Sequence, residues 1–181
     1  MGTRHKQMVI TKEGEKKVSQ YGQWDGYPSG QGVEILRFLR NADLDKYQEE
    51  VTKLREITEE EIEEINKIGE GWQNQYPYLS RDCGSDIHQL ILDGEVKFLQ
   101  LMSDDDNSWI EGFYTIDFQN GTFTSIFHDE KTTFKLDNLP TDNQYLRAMG
   151  EEVEMDEEDE EIRNTALGKL TDEEKRVLGI Q

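Results

Sequence analysis

Apolar and polar positions alternate in two short runs near the start of the chain, HKQMVIT and VSQYGQW, on either side of the charged stretch KEGEKK. That pattern predicts a β-hairpin turning near Glu13-Gly14. After a glycine-rich segment, Val33 to Leu39 is apolar on most faces and reads as a short buried helix. Leu44, Tyr47, Val51 and Leu54 then recur at spacings of three and four, the mark of an amphipathic helix. Thr58 and Glu61 form a capping box for a further helix, with Ile62, Ile65 and Ile68 as its inner stripe and Gly69 at its end. GEGWQNQYPYLSRDCG reads as loop, and Ser85 as the cap of a short helix, DIHQLILD, ended by Gly94.

Strand signals follow in VKFLQLM, WIEGFYTIDF and TFTSIFH, joined by the turns SDDDNS and QNG, with TTFKL as a short edge strand. Pro140-Thr141-Asp142 opens a helix through Met149, and Thr171 with Glu174 caps a terminal helix, DEEKRVLG. The order predicts an α+β fold: an antiparallel sheet, made of the N-terminal hairpin and a central meander, packed with helices. It reads as a single domain over 1–181, with an acidic, flexible segment at 151–161 and a short C-terminal helix.

Charge changes this picture more than hydrophobicity does. Acids outnumber bases 40 to 20 in 181 residues, for a net charge of -20. Such a field repels nucleic acid and anionic membrane and attracts basic protein surfaces. The first twenty residues lack the apolar stretch of a signal peptide, no apolar run is long enough to span a bilayer, and Lys6 breaks the myristoylation pattern. These features predict a soluble, intracellular protein. Cys83 is the one cysteine, which leaves no intramolecular disulfide.

The stretch YGQWDGYPSGQG invites a phosphate-loop reading, but Val33 and Glu34 stand where a P-loop needs Lys and Ser or Thr, and the glycines do not follow G-x-G-x-x-G. The structural reading is a corner: Pro28 at the second and Gly30 at the fourth position of a type I turn, with Trp24 and Tyr27 packed over it, and Asp25, Gly26 and Gly32 completing it. Cys83 with His88 is the pair available for thiol catalysis, but a lone cysteine and isolated histidines (His5, His88, His128) point to packing. SDDDNSW lacks the glycine and glutamate of an EF-hand loop. No cofactor or metal is expected.

What remains is the acid. Glu59, Glu60, Glu61, Glu63 and Glu64 line one helix; Asp104, Asp105 and Asp106 crowd one turn. Glu151, Glu152, Glu154, Asp156, Glu157, Glu158, Asp159, Glu160 and Glu161 form a block. Helix neighbours three or four apart are about 5–6 Å apart, and duplex DNA presents a phosphate per roughly 3.4 Å of axis on each strand. A row of carboxylates therefore suits a groove built for a phosphate backbone. These acids are the expected partner-binding residues.

MGTR at the N-terminus, the corner WDGYPSGQG and the segment YLSRDCGSDIHQLI resemble a group of small phage and prophage proteins that open with Met-Gly-Thr-Arg and carry the same corner. The chain is also similar to acidic anti-CRISPR inhibitors of type II effectors. That resemblance implies a stoichiometric, non-enzymatic binder of guide-loaded Cas9 that blocks target or PAM binding in the cytoplasm of a bacterial host. Two other readings stay open: a small phage hydrolase using Cys83 or Asp25, and a phage regulatory or structural protein binding another basic partner.

Overall fold

The chain reverses direction where the charge pattern predicts. Thr11 N–H bonds to Glu15 O at 2.9 Å and Gly14 N–H to Thr11 O at 3.0 Å. Gly14 sits at φ +84°, a conformation that costs glycine nothing. This turn joins β1 (His5–Ile10) to β2 (Lys16–Gly22) in a computed structural model that describes residues 2–105, 107–153 and 157–177. The chain divides into two compact units, Met1–Leu139 and Pro140–Gln181.

In the first unit, β2 leads into α1 (Val33–Asn41), α2 (Leu44–Lys53), α3 (Glu59–Ile68), α4 (Trp72–Gln75) and α5 (Asp86–Leu92). The chain then forms β5 (Gly112–Asp117), β6 (Thr122–Phe127) and β7 (Glu130–Lys135), the expected meander. The five strands make one sheet in the order β2-β1-β5-β6-β7. The α+β class holds, with one correction: β1 pairs with β5 in parallel, so the sheet is mixed. The helical crossover between β2 and β5 is long enough to bring β5 back beside β1 in the same direction, which a hairpin turn cannot do.

The strand expected in VKFLQLM is a second correction. Only β4 (Phe98–Leu99) is extended, and it pairs with β3 (Arg55–Glu56) outside the main sheet. Three residues later the chain is held to β2 by single bonds instead of a ladder: Met102 N–H to Ser19 O at 2.7 Å, and Ser19 Oγ–H to Met102 O at 2.9 Å.

Register explains the core. His5, Gln7 and Val9 stand opposite Gly22, Gln20 and Val18 on β2, and opposite Gly112, Tyr114 and Ile116 on β5. These positions share one face of the sheet because the side-chain period of a strand is two. The helices cover it through Tyr47, whose ring meets Phe118 at 5.9 Å and Phe38 at 4.9 Å. On the other face Lys6 is 1% exposed and donates from Nζ to Ser103 O and Asn107 Oδ1. Trp109 packs edge-on against Tyr21 at 4.8 Å, with Arg4 above its ring.

Local capping follows the sequence at α3 and departs from it at α5, and α2 carries a cap that the sequence pattern did not single out. Asp43 caps α2, and Thr58 with Glu61 forms the expected box on α3. Ser85 makes no side-chain cap on α5, and its backbone already has right-handed helical angles instead of the extended ones usual for a cap. Its N–H bonds instead to Gln31 Oε1 at 2.6 Å, a cap supplied from 54 residues away.

The second unit opens with α6 (Asp142–Ala148), boxed by Thr141 and Gln144. Glu157–Lys169 follows as a 13-residue helix, α7, so the acidic block expected to be flexible is helical from Glu157 onward. α8 (Asp172–Val177) is boxed by Thr171 and Glu174, as the sequence predicts.

Candidate functional site

The acids predicted to bind a partner divide by what else holds them. Arg55 grips Glu61 with two N–H donors, at 2.7 and 2.5 Å, and Thr58 N–H adds a third bond. These bonds hold the Glu61 carboxyl down to about 2. Asp104 accepts from Lys6 Nζ at 2.7 Å and also pairs with Lys16; Lys16 first and Lys6 second hold it down to about 2. Both charges are engaged inside the molecule. Glu59, Glu60, Glu63 and Glu64 are exposed on α3, whose opposite side buries Ile65, and no ion pair engages them among the described residues. Asp105 is exposed in its loop, bonded to Ser103. Glu151 and Glu152 follow α6; Glu160 and Glu161 are exposed on α7, which also carries Glu157, Glu158 and Asp159. Asp106, Glu154 and Asp156 lie outside the described residues.

The Lys6 pair makes a testable demand. Asp104→Asn leaves a buried ammonium with a neutral partner, and the variant should lose about 1.5–3 kcal/mol in denaturant unfolding. Lys6→Met in the same background should recover most of it, because an apolar side chain needs no counter-charge. Equal stability of Asp104→Asn and wild type would show that the pair is idle.

The glycine corner is built as a turn. Gly30 N–H bonds to Tyr27 O at 3.0 Å across Pro28, and Gln31 N–H to Asp25 O at 2.9 Å. Asp25 stands at φ +53°, and its carboxylate accepts from Tyr27 Oη at 3.1 Å. Tyr27 lies over Gly30, where an added Cβ would meet its ring at 2.9 Å. Trp24 is 50% exposed and donates from Nε1 to Asp82 Oδ1 at 2.7 Å. Gly32 is buried where the corner enters α1.

The three stretches that carry the sequence resemblance converge here. Gly26 N–H bonds to Thr3 O at 3.0 Å, and a Cβ on Gly2 would meet the Trp24 ring at 2.4 Å. Gln23 N–H bonds to Arg81 O at 3.0 Å. Gly2 and Thr3, the corner and RDCGS are therefore one structural assembly, and His5, the corner and the Arg81–Asp86 loop line a cavity of about 440 Å³. Its carboxylates are Asp25, Glu34, Asp82 and Asp86, against the guanidinium of Arg81. A second cavity, of about 640 Å³ and lined in part by Pro77 and Leu90, shares the wall formed by Asp82, Cys83 and Asp86.

His5 lines the acidic cavity and is fully buried. Its Nε2 lies 3.0 Å from Gln7 Nε2, while Nδ1 has no partner among the described residues. Burial pushes its pKa down to about 4, partly offset by Asp25. His88, fully buried, shares a 2.7 Å bond between Nδ1 and Tyr47 Oη and stacks on Phe38 at 5.4 Å; burial pushes it down to about 3. Burial, with Asp86 adding to it, pushes the Cys83 thiol up to about 12. His5 is packed in the core, as expected, but Lys6, Gln31 and Asp82 were missed because each acquires its role only through contacts far along the chain. The one local signal was the polar triplet His5-Lys6-Gln7 at the head of a strand.

The chain matches no protein-family model, no curated protein and no solved structure. Among the described residues, no group of three or more His, Cys, Asp or Glu side chains is placed to hold a metal ion. No helix among them is long and apolar enough to cross a membrane.

Proposed function

We propose that this protein is a stoichiometric inhibitor that occupies a basic, phosphate-binding surface of a partner protein, and that the partner is guide-loaded Cas9. The observation that carries the reading is the exposed row Glu59, Glu60, Glu63 and Glu64, on a helix anchored at its N-terminus by the Arg55–Glu61 pair. A fixed helix presents these carboxylates about 5–6 Å apart at no further ordering cost. Cas9 reads its PAM with arginines and holds the heteroduplex in a positively charged channel, surfaces such a row fits. The choice of Cas9 among basic partners comes from the sequence resemblance. A thiol hydrolase draws no support from a protonated Cys83 and a His88 bonded to Tyr47 in the core.

The test is target cleavage by purified guide-loaded Cas9 across a titration of this protein, wild type against Glu59/Glu60/Glu63/Glu64→Gln. Exposed charge pairs contribute about 0.2–1 kcal/mol each, so losing four should raise the half-inhibitory concentration roughly 4- to 700-fold. Wild-type inhibition should weaken as salt rises, because screening acts within about 8 Å at physiological ionic strength. Undiminished inhibition by the neutralised variant would remove α3 from the interface. No inhibition by the wild type would remove Cas9 as the partner.

A further inference from the structure

We infer that the cavity between the Trp24–Gln31 corner and the Arg81–Asp86 loop receives the guanidinium of an arginine side chain from a partner protein. The sign of the guest follows from the walls. Asp25, Glu34, Asp82 and Asp86 outnumber Arg81, so the cavity selects a cation. Three of the four already have a bond within the chain: Glu34 to Arg37 at 3.1 Å, Asp82 to Trp24, and Asp25 to Tyr27. Asp86 has no side-chain partner among the described residues and is the carboxylate left for the guest.

The second observation is His5. A fully buried imidazole with an unpaired Nδ1 lines the same cavity. A buried polar atom left without a partner costs free energy, and a guest that supplies one recovers it. A cation brings only N–H donors, so Nδ1 meets it as an acceptor, with the ring proton on Nε2 facing Gln7. The Gln7 amide turned end for end offers Oε1 to that proton without moving its heavy atoms. Burial keeps the ring neutral near pH 7, so it does not repel a cationic guest.

Shape separates guanidinium from the other cations. The Trp24 indole, tethered to Asp82 and half exposed, offers a preorganised face for a planar ion to stack on. Guanidinium also spreads five donors across a fork wide enough to reach two separate acceptors, where ammonium is a point charge. The inference rests on the proposed reading only for the source of the arginine, a basic partner surface.

The experiment uses the isolated full chain and three probes: N-acetyl-arginine amide, its neutral isostere N-acetyl-citrulline amide, and N-acetyl-lysine amide. The readouts are the Trp24 indole N–H and the His5 ring nitrogens by NMR. Arginine amide should shift both saturably at millimolar concentrations, and citrulline amide should shift neither. Asp86→Asn should weaken binding at least fivefold, while Asp93→Asn, at the far end of α5, should leave it unchanged. Absent shifts, equal shifts with citrulline, or full affinity in Asp86→Asn would overturn the assignment. Lysine amide binding as tightly as arginine amide would overturn the guanidinium choice. Because no Cas9 is present, a chain that binds arginine but fails to inhibit cleavage loses the named partner and keeps the site.

Discussion

Gly112→Ala should unfold at a temperature lower by roughly 10 °C than the wild type. Gly112 faces His5 across the parallel pair, and a Cβ there would lie 2.3 Å from the Gly26 carbonyl oxygen. That oxygen belongs to the backbone of the corner, which has little room to retreat. Gly26 N–H is bonded to Thr3 O, and its own Cβ position is crowded by His5 and Thr3 at 2.8 Å. Moving the corner away also strains the buried bond from Tyr114 Oη to Gly26 O, now 2.8 Å. Overpacking costs about 1–3 kcal/mol and a lost buried bond about 1–3 kcal/mol more. At about 2–4 °C per kcal/mol for a chain of this size, the sum gives the stated shift. Gly168→Ala, in a helix with nothing within 4 Å of the added methyl, is the control and should melt no lower than wild type. A Gly112→Ala variant melting with the wild type would show that the corner is not clamped to the sheet.

Acid should destabilise the fold before the bulk of the carboxylates titrate. His5 and His88 have folded-state pKa values near 4 and 3, against 6.5 for the free side chain, with burial the main cause in both. Above pH 6.5 the two are neutral in both states and their contribution is complete. As pH falls below 6.5 the unfolded chain takes up two protons that the folded chain refuses, so stability is lost progressively down toward pH 4. Each tenfold difference in proton affinity between the two states is worth about 1.4 kcal/mol, so the loss by pH 4 is on the order of 3–6 kcal/mol for the pair. The denaturant midpoint should therefore fall between pH 6.5 and 5, while the ring signals of His5 and His88 stay flat in NMR spectra over the same range. Titration of either ring near pH 6.5 would contradict their burial.

Much of the fold was legible because it is written in local patterns. The hairpin, the capping boxes at Thr58 and Thr171, the meander and the Tyr27–Gly30 turn rest on residues a few positions apart. The failures are non-local. Nothing near His5–Ile10 announces a parallel partner about 107 residues away, and β1 buries His5, Lys6 and Gln7 because it is flanked on both edges and covered on both faces. Ser85 looks like a cap in sequence, yet Gln31 does that work from the corner. The acidic clusters were visible as composition. Their division into engaged (Glu61, Asp104) and unengaged (Glu59, Glu60, Glu63, Glu64) depends on where Arg55, Lys6 and Lys16 come to lie. The cavity was invisible, since its walls come from three stretches spread over the first 86 residues.

The most direct test of the central claim, that the carboxylates on α3 compete with phosphate for a basic surface, is target-DNA binding by guide-loaded Cas9 measured by gel shift with the order of addition varied. Carboxylates that occupy the DNA site act upstream of nuclease chemistry. This protein added first should abolish the shifted complex, the same amount added after target DNA should leave most of it intact, and Glu59/Glu60/Glu63/Glu64→Gln should block poorly in either order. A Cas9 that binds its target normally with this protein present, whether or not it then cuts, would contradict the account.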